Sequence, residues 1–433
     1  MKIVIADKLP ASAIALLRNE GWTVKAEPAR STDQLIADLS DADALIVRSA
    51  TQVTSSLIEA APKLRAIARA GTGVDNVDVG TASEKGIVVM NAPGANSVSV
   101  AELAIALLLG LARRIPAADA TMKQGKWNKR MFMGEELRDK TLGLAGLGRI
   151  GQEVCRRARA LEMRVIAHDP FIAKPVADDL GAELVTLDDL FARSDYLSLH
   201  IPSTDKTRHI VNAKRLSQAK KGIRIVNTAR GDLIDEVALA EAIQTGHVGG
   251  AALDVFTVEP PVNKQLQTFE NVIATPHIAA STREAQENVG LETAATLRDF
   301  LRDGIIRNAV NSPSVSAEEF SRLQPFIALA ERLGAFLAQM TSARIEAIGI
   351  RYYGNLTDTK TDLIGNAVLV GLFKPILSTI SSVNARTVAE NRGIEIIESQ
   401  SSRQRNFTRL LSVKLHTSEG ERWVEGALFD RSV

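Results

Sequence analysis

Short apolar runs alternate with amphipathic stretches over about the first 95 residues of the chain. The runs KIVIAD, TVKAE, ADALIVR, LRAIARAG and GIVVMN each have the length of a buried strand, and ASAIALLRNEG has helical spacing. Strands that alternate with helices in this way predict a parallel sheet covered by helices on both faces. A long apolar helix is expected next, over residues 97–111.

A second alternating series begins at TLGLAGLG and continues through MRVIAHD, SDYLSLH, GIRIVNTA, GGAALDV and NVIATP. These strands are uniformly apolar, which is typical of a sheet that is buried on both sides. Residues 281–302 are helical in pattern, and residues 308–316 predict a linker. Beyond it we expect a strand at RIEAIGIRYYG, a helix at DLIGNAVLVGLFKPIL and an antiparallel hairpin at RLLSVKLHTSEGERWVEGALF. The pattern therefore predicts an α/β protein with two similar parallel-sheet lobes, Rossmann-like or flavodoxin-like, followed by an α+β domain.

Composition and charge exclude several classes of protein. Lys and Arg number 52 against 51 Asp and Glu, so the net charge of +1 favours neither nucleic acid nor an anionic membrane as partner. The single cysteine, Cys155, excludes an intrachain disulfide and fits a reducing compartment. The N-terminus does not resemble a signal peptide, and the apolar stretch AELAIALLLGLA is too short to span a bilayer. We therefore expect a cytoplasmic protein.

The segment LAGLGRIG places Gly146, Gly148 and Gly151 in GxGxxG spacing between a predicted strand and a predicted helix. In a dinucleotide site the first glycine makes the turn, the second admits a pyrophosphate, and the third allows close packing of helix and strand. The next strand ends in Asp169, which can bind ribose hydroxyls and would repel a 2′-phosphate. We predict an NAD site here; the alternative is an ordinary tight corner between a strand and a helix.

Arg230, Glu259 and His277 each follow a predicted strand of the second lobe, where open α/β sheets bind ligands. Arginine can hold a carboxylate or a carbonyl oxygen, and histidine can take a proton from a hydroxyl. A glutamate beside the histidine would fix its tautomer and favour the protonated ring. Taken singly, His277 could instead be a structural histidine, Glu259 a solvated loop carboxylate and Arg230 a surface ion-pair partner. No metal site is predicted, because no second His or Cys lies nearby at ligand spacing.

With these motifs the sequence resembles the D-isomer-specific 2-hydroxyacid dehydrogenase family. The resemblance is carried by RAGTGVDNVD, NSVSVAEL, LAGLGRIG, NTARGDLID, ALDVFTVEPP and TPHIAASTREAQ, which together span most of residues 1–305. It implies a discontinuous substrate lobe at 1–97 and 282–307, an NAD-binding Rossmann lobe at 98–281, and dimerisation through the latter as a homodimer or homotetramer. By this resemblance Arg230, Glu259 and His277 match the substrate-binding arginine, the orienting acid and the proton-transferring histidine.

The resemblance also implies a set of ligand contacts. Cofactor contacts are expected at Thr72, Gly146, Gly148, Arg149, Ile150, Gly151, Asp169, Thr228, Ala229, Arg230, Asp254, His277 and Ala280. Substrate contacts are expected at Arg48 and Ser49 for a phosphate and at Gly71, Gly73 and Val74 for a carboxylate. Lys129 and Arg130 could add charge for the phosphate, from the same chain or from a partner subunit; the alternative is that Arg48 and Lys129 lie on a solvated surface.

The activity expected from the resemblance is NAD-dependent oxidation of 3-phospho-D-glycerate to 3-phosphohydroxypyruvate, the entry to L-serine. A reductase for glyoxylate, hydroxypyruvate or 2-oxoglutarate is the first alternative, and a nucleotide-sensing protein like the corepressors of this fold is the second. Residues 312–433, with NARTVAENRGI, resemble the intervening domain of the long bacterial members. Those members continue into an ACT domain that binds serine, whereas this chain stops at LFDRSV, so we expect an incomplete domain and leave feedback by serine open.

Overall fold

A computed structural model of the chain describes residues 1–354, 360–401, 407 and 409–429. The chain divides into two compact units, residues 1–93 with 287–433 and residues 94–286. The domain boundaries expected from the sequence stay a prediction. Among the described residues, no helix combines the length and the apolar run needed to cross a membrane.

The strands and helices follow one another closely along the chain. The strands are β1 (Lys2–Ile5), β2 (Thr23–Ala26), β3 (Ala44–Val47), β4 (Ala66–Arg69), β5 (Val88–Met90), β6 (Thr141–Ala145), β7 (Arg164–His168), β8 (Ala182–Leu184), β9 (Tyr196–Leu199), β10 (Ile223–Asn227), β11 (Val248–Leu253), β12 (Val272–Ala274), β13 (Ile345–Gly354), β14 (Glu395–Ser401), β15 (Arg409–Thr417) and β16 (Gly420–Ala427). The helices are α1 (Ala11–Arg18), α2 (Thr32–Leu39), α3 (Ser55–Glu59), α4 (Val79–Glu84), α5 (Ser97–Arg113), α6 (Ile115–Lys123), α7 (Arg149–Ala160), α8 (Lys174–Leu180), α9 (Leu187–Arg193), α10 (Ala213–Gln218), α11 (Glu236–Gln244), α12 (Gln265–Thr268), α13 (Arg283–Asp303), α14 (Ala317–Gln339), α15 (Thr361–Phe373) and α16 (Ala385–Asn391). Short 3-10 helices lie at Lys129–Phe132 and Gly231–Leu233.

The first unit contains a parallel sheet in the order β2-β1-β3-β4-β5, as the first apolar series predicts. All four residues of β3, ALIV, are buried because helices cover both faces of the sheet. The predicted linker packs against this sheet. The side chain of Asn311 accepts the backbone N–H of Val89 at 2.9 Å and donates to the carbonyl oxygen of Ile87 at 2.9 Å.

The same unit carries a mixed sheet whose described strands run in the order β14-β13-β15-β16. The predicted strand β13, helix α15 and hairpin β15–β16 are confirmed. Helix α14 and strand β14, which we did not predict, complete the core under this sheet. The last four residues of the chain, 430–433, lie outside the described residues.

The second unit is built on a parallel sheet in the order β12-β11-β10-β9-β6-β7-β8. The chain starts in the middle at β6, moves outward to β8, and then returns to β9 on the other side of β6. The carboxyl ends of β6 and β9 therefore flank a topological switch point, the place where open α/β sheets bind ligands. Both the second apolar series and the long apolar helix α5 are confirmed.

Candidate active site

Glu259 and His277 form a hydrogen-bonded pair in the second unit. Nδ1 of His277 lies 2.7 Å from Oε2 of Glu259, whose Oε1 accepts the backbone N–H of Phe256 at 3.1 Å. An ionised carboxylate can only accept hydrogen bonds, so Nδ1 keeps its proton and Nε2 is the basic nitrogen of the neutral ring. The side chain of His277 is 52% exposed, and no described residue forms a hydrogen bond with its Nε2 atom. Nε2 is therefore available to exchange a proton with a ligand.

The backbone of His277 is held in an uncommon conformation by Asp254. The φ angle of His277 is +51°, a left-handed conformation that costs free energy for any residue with a side chain. Asp254 is fully buried. Its carboxylate accepts hydrogen bonds from Oγ1 of Thr275 at 2.6 Å and from the N–H groups of Ile278 and Ala279 at 2.8 and 2.9 Å. Asp254 thus shapes the turn that presents the imidazole, and its contact with the cofactor stays a prediction.

Asn227, a residue to which we assigned no role, determines the course of the loop that carries Arg230. Asn227 is fully buried at the end of β10. Its Oδ1 accepts the N–H of Ala229 at 3.0 Å, and its Nδ2 donates to the carbonyl oxygen of Arg230 at 2.7 Å. The guanidinium of Arg230 donates from Nη1 to the carbonyl oxygen of Ala229 at 2.7 Å.

Gly231 brings the loop of Arg230 into contact with the loop that leads to Glu259. A Cβ atom added at Gly231 would lie 1.9 Å from the carbonyl carbon of Phe256 and 2.3 Å from the nitrogen of Thr257. No side chain fits at this distance, so the two backbones can approach only because residue 231 is glycine. The structure therefore joins the segments of all three residues that we predicted to be catalytic.

The three glycines of the loop between β6 and α7 have different surroundings. Gly146 has φ +95°, and a Cβ there would lie 2.6 Å from the carbonyl oxygen of His200. A Cβ at Gly151 would lie 2.3 Å from the carbonyl oxygen of Gly146, whereas a Cβ at Gly148 would meet nothing within 4 Å. The turning and packing roles predicted for the first and third glycines are confirmed. The open space beside the second glycine, Gly148, fits the approach of a pyrophosphate.

Helix α7 begins directly after Gly148, and no side chain caps its first N–H groups. These donors and the positive end of the helix dipole fit a phosphate group. Asp169 ties the end of β7 to the same loop. Its Oδ2 accepts the N–H of Leu147 at 2.8 Å, and its Oδ1 accepts the N–H of Phe171 at 2.9 Å. The remaining lone pairs of this half-buried carboxylate suit ribose hydroxyls, a contact that stays a prediction.

The other residues predicted to touch the cofactor vary in burial. Thr228 is buried, and its hydroxyl oxygen has no hydrogen-bond partner among the described residues. Such an orphaned buried hydroxyl fits a ligand contact. Arg149 is exposed at the start of α7, Ile150 packs partly buried on the core, and the carbonyl oxygen of Ala280 accepts a hydrogen bond from Nε2 of Gln286 at 2.8 Å.

His200 lies beside the glycine loop and was missed by the sequence analysis. It follows β9, its Nε2 is 2.9 Å from Oγ of Ser198, and its buried Nδ1 has no partner among the described residues. Burial lowers the pKa of His200 to about 4, because a charged imidazole would lose its hydration. The signal was available: like His277, His200 is a histidine at the carboxyl end of a strand.

In the first unit, the residues predicted to bind substrate lie on two loops that share hydrogen bonds. Arg48 and Ser49 follow β3, and Gly71, Gly73 and Val74 follow β4. Nδ2 of Asn76 donates to the carbonyl oxygens of Arg48 and Thr51, both at 2.6 Å. The side chain of Asn76 therefore links the loop after β4 to the loop after β3.

The second of these loops has little freedom. The carbonyl oxygen of Thr72 accepts a hydrogen bond from Nδ2 of Asn91 at 2.6 Å, and Val74 packs on the hydrophobic core. The guanidinium of Arg69 lies directly over Gly71, where a Cβ would fall 1.5 Å from Nη1. The guanidinium beside Gly71 places positive charge at this loop, and the contact of the loop with a substrate carboxylate stays a prediction.

Lys129 lies in the second unit, on a segment with many exposed apolar side chains. No acidic residue in the described part of the chain pairs with its ammonium group, and its role toward a substrate stays a prediction. The apolar side chains, each more than half exposed, are Ile115, Met122, Trp127, Met131 and Met133.

Two known families match this chain in consecutive parts. Residues 105–279 match the D-isomer specific 2-hydroxyacid dehydrogenase, NAD binding domain, and this range includes the glycine loop and all three predicted catalytic residues. Residues 322–433 match the D-3-phosphoglycerate dehydrogenase intervening domain.

Relatives extend over nearly the whole chain. The D-3-phosphoglycerate dehydrogenase of Methanocaldococcus jannaschii is 46% identical over 407 residues, which are 94% of this chain and 78% of that protein. The protein of the same name from Archaeoglobus fulgidus is 43% identical over 431 residues, 99% of this chain and 82% of that protein. A solved glyoxylate reductase from Paecilomyes thermophila superposes with a TM-score of 0.66 at 32% identity, covering 72% of this chain and 98% of its own.

These likenesses agree with the geometry of the second unit, which joins a dinucleotide loop to a paired imidazole and carboxylate. The chain belongs to the D-isomer specific 2-hydroxyacid dehydrogenase family and, within it, to the NAD-dependent D-3-phosphoglycerate dehydrogenases that carry an intervening domain.

Proposed function

We propose that the protein oxidises 3-phospho-D-glycerate to 3-phosphohydroxypyruvate with NAD, the first step of L-serine formation. The observation that carries this proposal is the match of residues 322–433 to the intervening domain of D-3-phosphoglycerate dehydrogenase. The similar glyoxylate reductase covers only 72% of this chain. A plain 2-oxo acid reductase therefore accounts for the catalytic part of the chain but leaves the intervening domain unexplained.

In this proposal His277 is the acid–base group. Its Nε2 accepts the proton of the 2-hydroxyl group while the hydride leaves the carbon that bears this hydroxyl. The reverse reaction returns the proton to the oxygen of the ketone. Bound NAD supplies the acceptor for the hydride and its electron pair. The carboxylate of Glu259, 2.7 Å from Nδ1, orients the ring and offsets the positive charge that the ring gains. General acid–base catalysis of this kind contributes a factor of roughly 10² to 10⁴ to the rate.

Arg230 binds the substrate in the same proposal. A guanidinium has five N–H donors in a rigid planar arrangement, and one donor of Arg230 is engaged by the carbonyl oxygen of Ala229. This planar set of donors suits two oxygen atoms of a 2-hydroxy acid. The backbone of Gly71, Gly73 and Val74 receives the substrate carboxylate, and Arg48, Ser49 and Lys129 provide the phosphate contacts.

The cofactor contacts follow from the surroundings of the glycine loop. The N–H groups at the start of α7 and the space over Gly148 would hold the pyrophosphate. Asp169 would bind the ribose hydroxyls and disfavour a 2′-phosphate, and the hydroxyl of Thr228 would donate to the cofactor. Of these groups, Asp169 explains the preference for NAD over NADP that we propose, because its charge would repel the 2′-phosphate of NADP.

We also propose that the protein works in the cytoplasm as a homodimer or homotetramer. The exposed apolar segment around Trp127, which is 79% exposed, supports self-association, because a monomer rarely leaves so many large apolar side chains in water. Cys155 is a free, buried thiol, which suits a reducing compartment. Light scattering of the wild type and of Trp127→Glu tests the assembly; a mass of one chain for the wild type would contradict it.

The test of the activity follows nicotinamide absorbance with 3-phospho-D-glycerate and NAD, and in reverse with 3-phosphohydroxypyruvate, glyoxylate, hydroxypyruvate or 2-oxoglutarate and NADH. We expect the highest kcat/KM for the phosphorylated pair. A higher kcat/KM for an unphosphorylated acid would establish the reductase instead. Binding of NADH without turnover of any of these acids would establish a sensing protein.

A pair of histidine variants tests the assigned base. His277→Asn is expected to lower kcat by roughly 10² to 10⁴. His416→Asn is the matched control, because the Nδ1 atom of His416 also pairs with a glutamate, Glu421, at 3.2 Å, in the β15–β16 hairpin. Equal loss in both variants would contradict the assignment.

A further inference from the structure

The first unit has a cavity at the carboxyl ends of β1 and β3. Its volume is about 730 Å³, ample for a small phosphorylated acid, and residues 6–8, 28–30, 32 and 48–52 contribute to its walls. Arg48, which we expect to bind the substrate phosphate, is one of these wall residues. The edge formed by the carboxyl ends of parallel strands is where this class of sheet binds ligands.

One of the three basic residues in the wall is neutralised by the protein itself. The side chain of Arg30 is 5% exposed, and its Nε lies 2.7 Å from Oδ2 of Asp38. Its two terminal nitrogens donate to the carbonyl oxygens of Ile5 and Lys25 at 2.9 and 3.2 Å. Arg30 therefore supports the wall of the cavity, and its guanidinium is bound by the protein and not available to a ligand.

The carboxylate in the wall, Asp7, is occupied by the loop after β3. Its Oδ2 accepts the N–H of Arg48 at 2.5 Å and the N–H of Thr51 at 3.3 Å, and its Oδ1 accepts the hydroxyl of Thr51 at 2.8 Å. Asp7 thus fixes the backbone from which Arg48 extends. It forms no ion pair with the side chain of Lys8 or of Arg48.

Lys8 and Arg48 are the cations that remain in the wall, and they lie next to each other. Nη1 of Arg48 donates to the carbonyl oxygen of Lys8 at 3.2 Å, so the guanidinium lies against the main chain of Lys8. Across the described ranges, no carboxylate lies within ion-pair distance of either side chain. Lys8 is exposed, and its ammonium group sits on a flexible stem that can reach toward an anion in the cavity.

We propose that Lys8 is the second cation that the first unit provides to the substrate phosphate site, beside Arg48, and a determinant of the preference for phosphorylated over unphosphorylated acids. A phosphate monoester carries about 1.5 to 2 negative charges near neutrality, more than one guanidinium offsets. Lysine serves as a mobile point charge for such a group, while arginine fixes its orientation. This inference rests on the proposed function and names a residue to which the sequence analysis gave no role.

The experiment measures the ratio of kcat/KM for 3-phosphohydroxypyruvate to kcat/KM for hydroxypyruvate, two acids that differ only in the phosphate. Lys8→Met keeps the length of the stem and removes the charge, and we expect it to lower this ratio about tenfold or more, mainly through the KM of the phosphorylated acid. Lys8→Arg keeps the charge and is expected to restore most of the ratio. Competitive inhibition by inorganic phosphate gives a second measure, and its Ki should rise in Lys8→Met.

Lys63→Met is the matched control, since Lys63 is an exposed lysine of the same unit that precedes the amino end of β4, on the opposite edge of the sheet. It should leave the ratio unchanged. An unchanged ratio and an unchanged phosphate Ki in Lys8→Met would overturn the inference, and so would an equal fall in Lys63→Met. A wild type without selectivity for the phosphorylated acid would instead show that the proposed substrate is wrong.

Discussion

The N–H of His277 donates a hydrogen bond to the main-chain carbonyl oxygen of Asp254 at 2.9 Å, which joins the proposed base to a fully buried residue. Through its side chain Asp254 accepts three more hydrogen bonds from the same turn. The left-handed conformation of His277 is therefore stable because Asp254 satisfies the backbone around it. The reactivity of the imidazole depends on a residue that need not touch the substrate.

Replacing Asp254 by Asn tests this relationship. The amide replaces one acceptor oxygen by a donor that faces N–H groups, so the turn must move, and we expect kcat to fall by about 10². Because positioning is lost and not binding, the KM for NAD should change far less than kcat. Steady-state kinetics distinguish the cases, with Asp205→Asn, an exposed loop aspartate, as control. A rise in the KM for NAD at constant kcat would instead indicate a direct cofactor contact.

Gly231→Ala should separate the loop of Arg230 from the loop of Glu259. The added methyl group would lie 1.9 Å from the carbonyl carbon of Phe256, so one backbone must shift. Misplacement of a binding group by about 1 Å costs roughly 10² in rate, and we expect a loss of kcat/KM of at least that size. Gly80→Ala is the control, because its methyl group would meet only ordinary contacts in α4. Comparable kinetics in the two variants would contradict the role of Gly231.

The sequence predicted the parts of the site that depend on local pattern. Both parallel sheets followed from apolar runs, and Arg230, Glu259 and His277 were recognisable because each follows a strand of a parallel sheet. The contributions of Asn227, Gly231 and Asp254 could not be read in this way. They depend on hydrogen bonds and close approach between loops far apart in the chain, such as Gly231 against Phe256.

Helix α14 was missed for a different reason. Its start has a capping box, with Ser316 and Glu319 bonding each other's backbone N–H groups at 3.1 and 2.8 Å. Serine followed three residues later by glutamate is a recognised start signal for a helix. Residues 308–316 were predicted as a linker, and Pro325, a residue type that usually interrupts a helix, lies inside this one. Here tertiary packing outweighs the local preference.

Gly148 and Gly151 should respond differently to the same change. Gly148→Ala adds a methyl group in open space, so the melting temperature should stay constant while the KM for NAD rises about tenfold or more. Gly151→Ala places a methyl group 2.3 Å from the carbonyl oxygen of Gly146, so it should lower the melting temperature by several degrees. Calorimetry and kinetics on both variants test the assignment. Destabilisation by Gly148→Ala would mean that this glycine has a structural role.

His200 should make stability depend on pH in the acid range. Burial lowers its pKa to about 4 in the folded protein, from 6.5 for an ordinary histidine. Between these values the unfolded chain binds a proton that the folded chain does not, so stability is full above about pH 6.5 and falls as the pH decreases toward 4. One pKa unit corresponds to about 1.4 kcal/mol, so the loss amounts to about 3.5 kcal/mol at most. His200→Asn has no ring to protonate and should be less stable than the wild type at pH 7 but lose less on acidification. Urea unfolding of both proteins at pH 7, 5.5 and 4.5 measures the difference, and parallel losses would show that other groups cause the acid sensitivity.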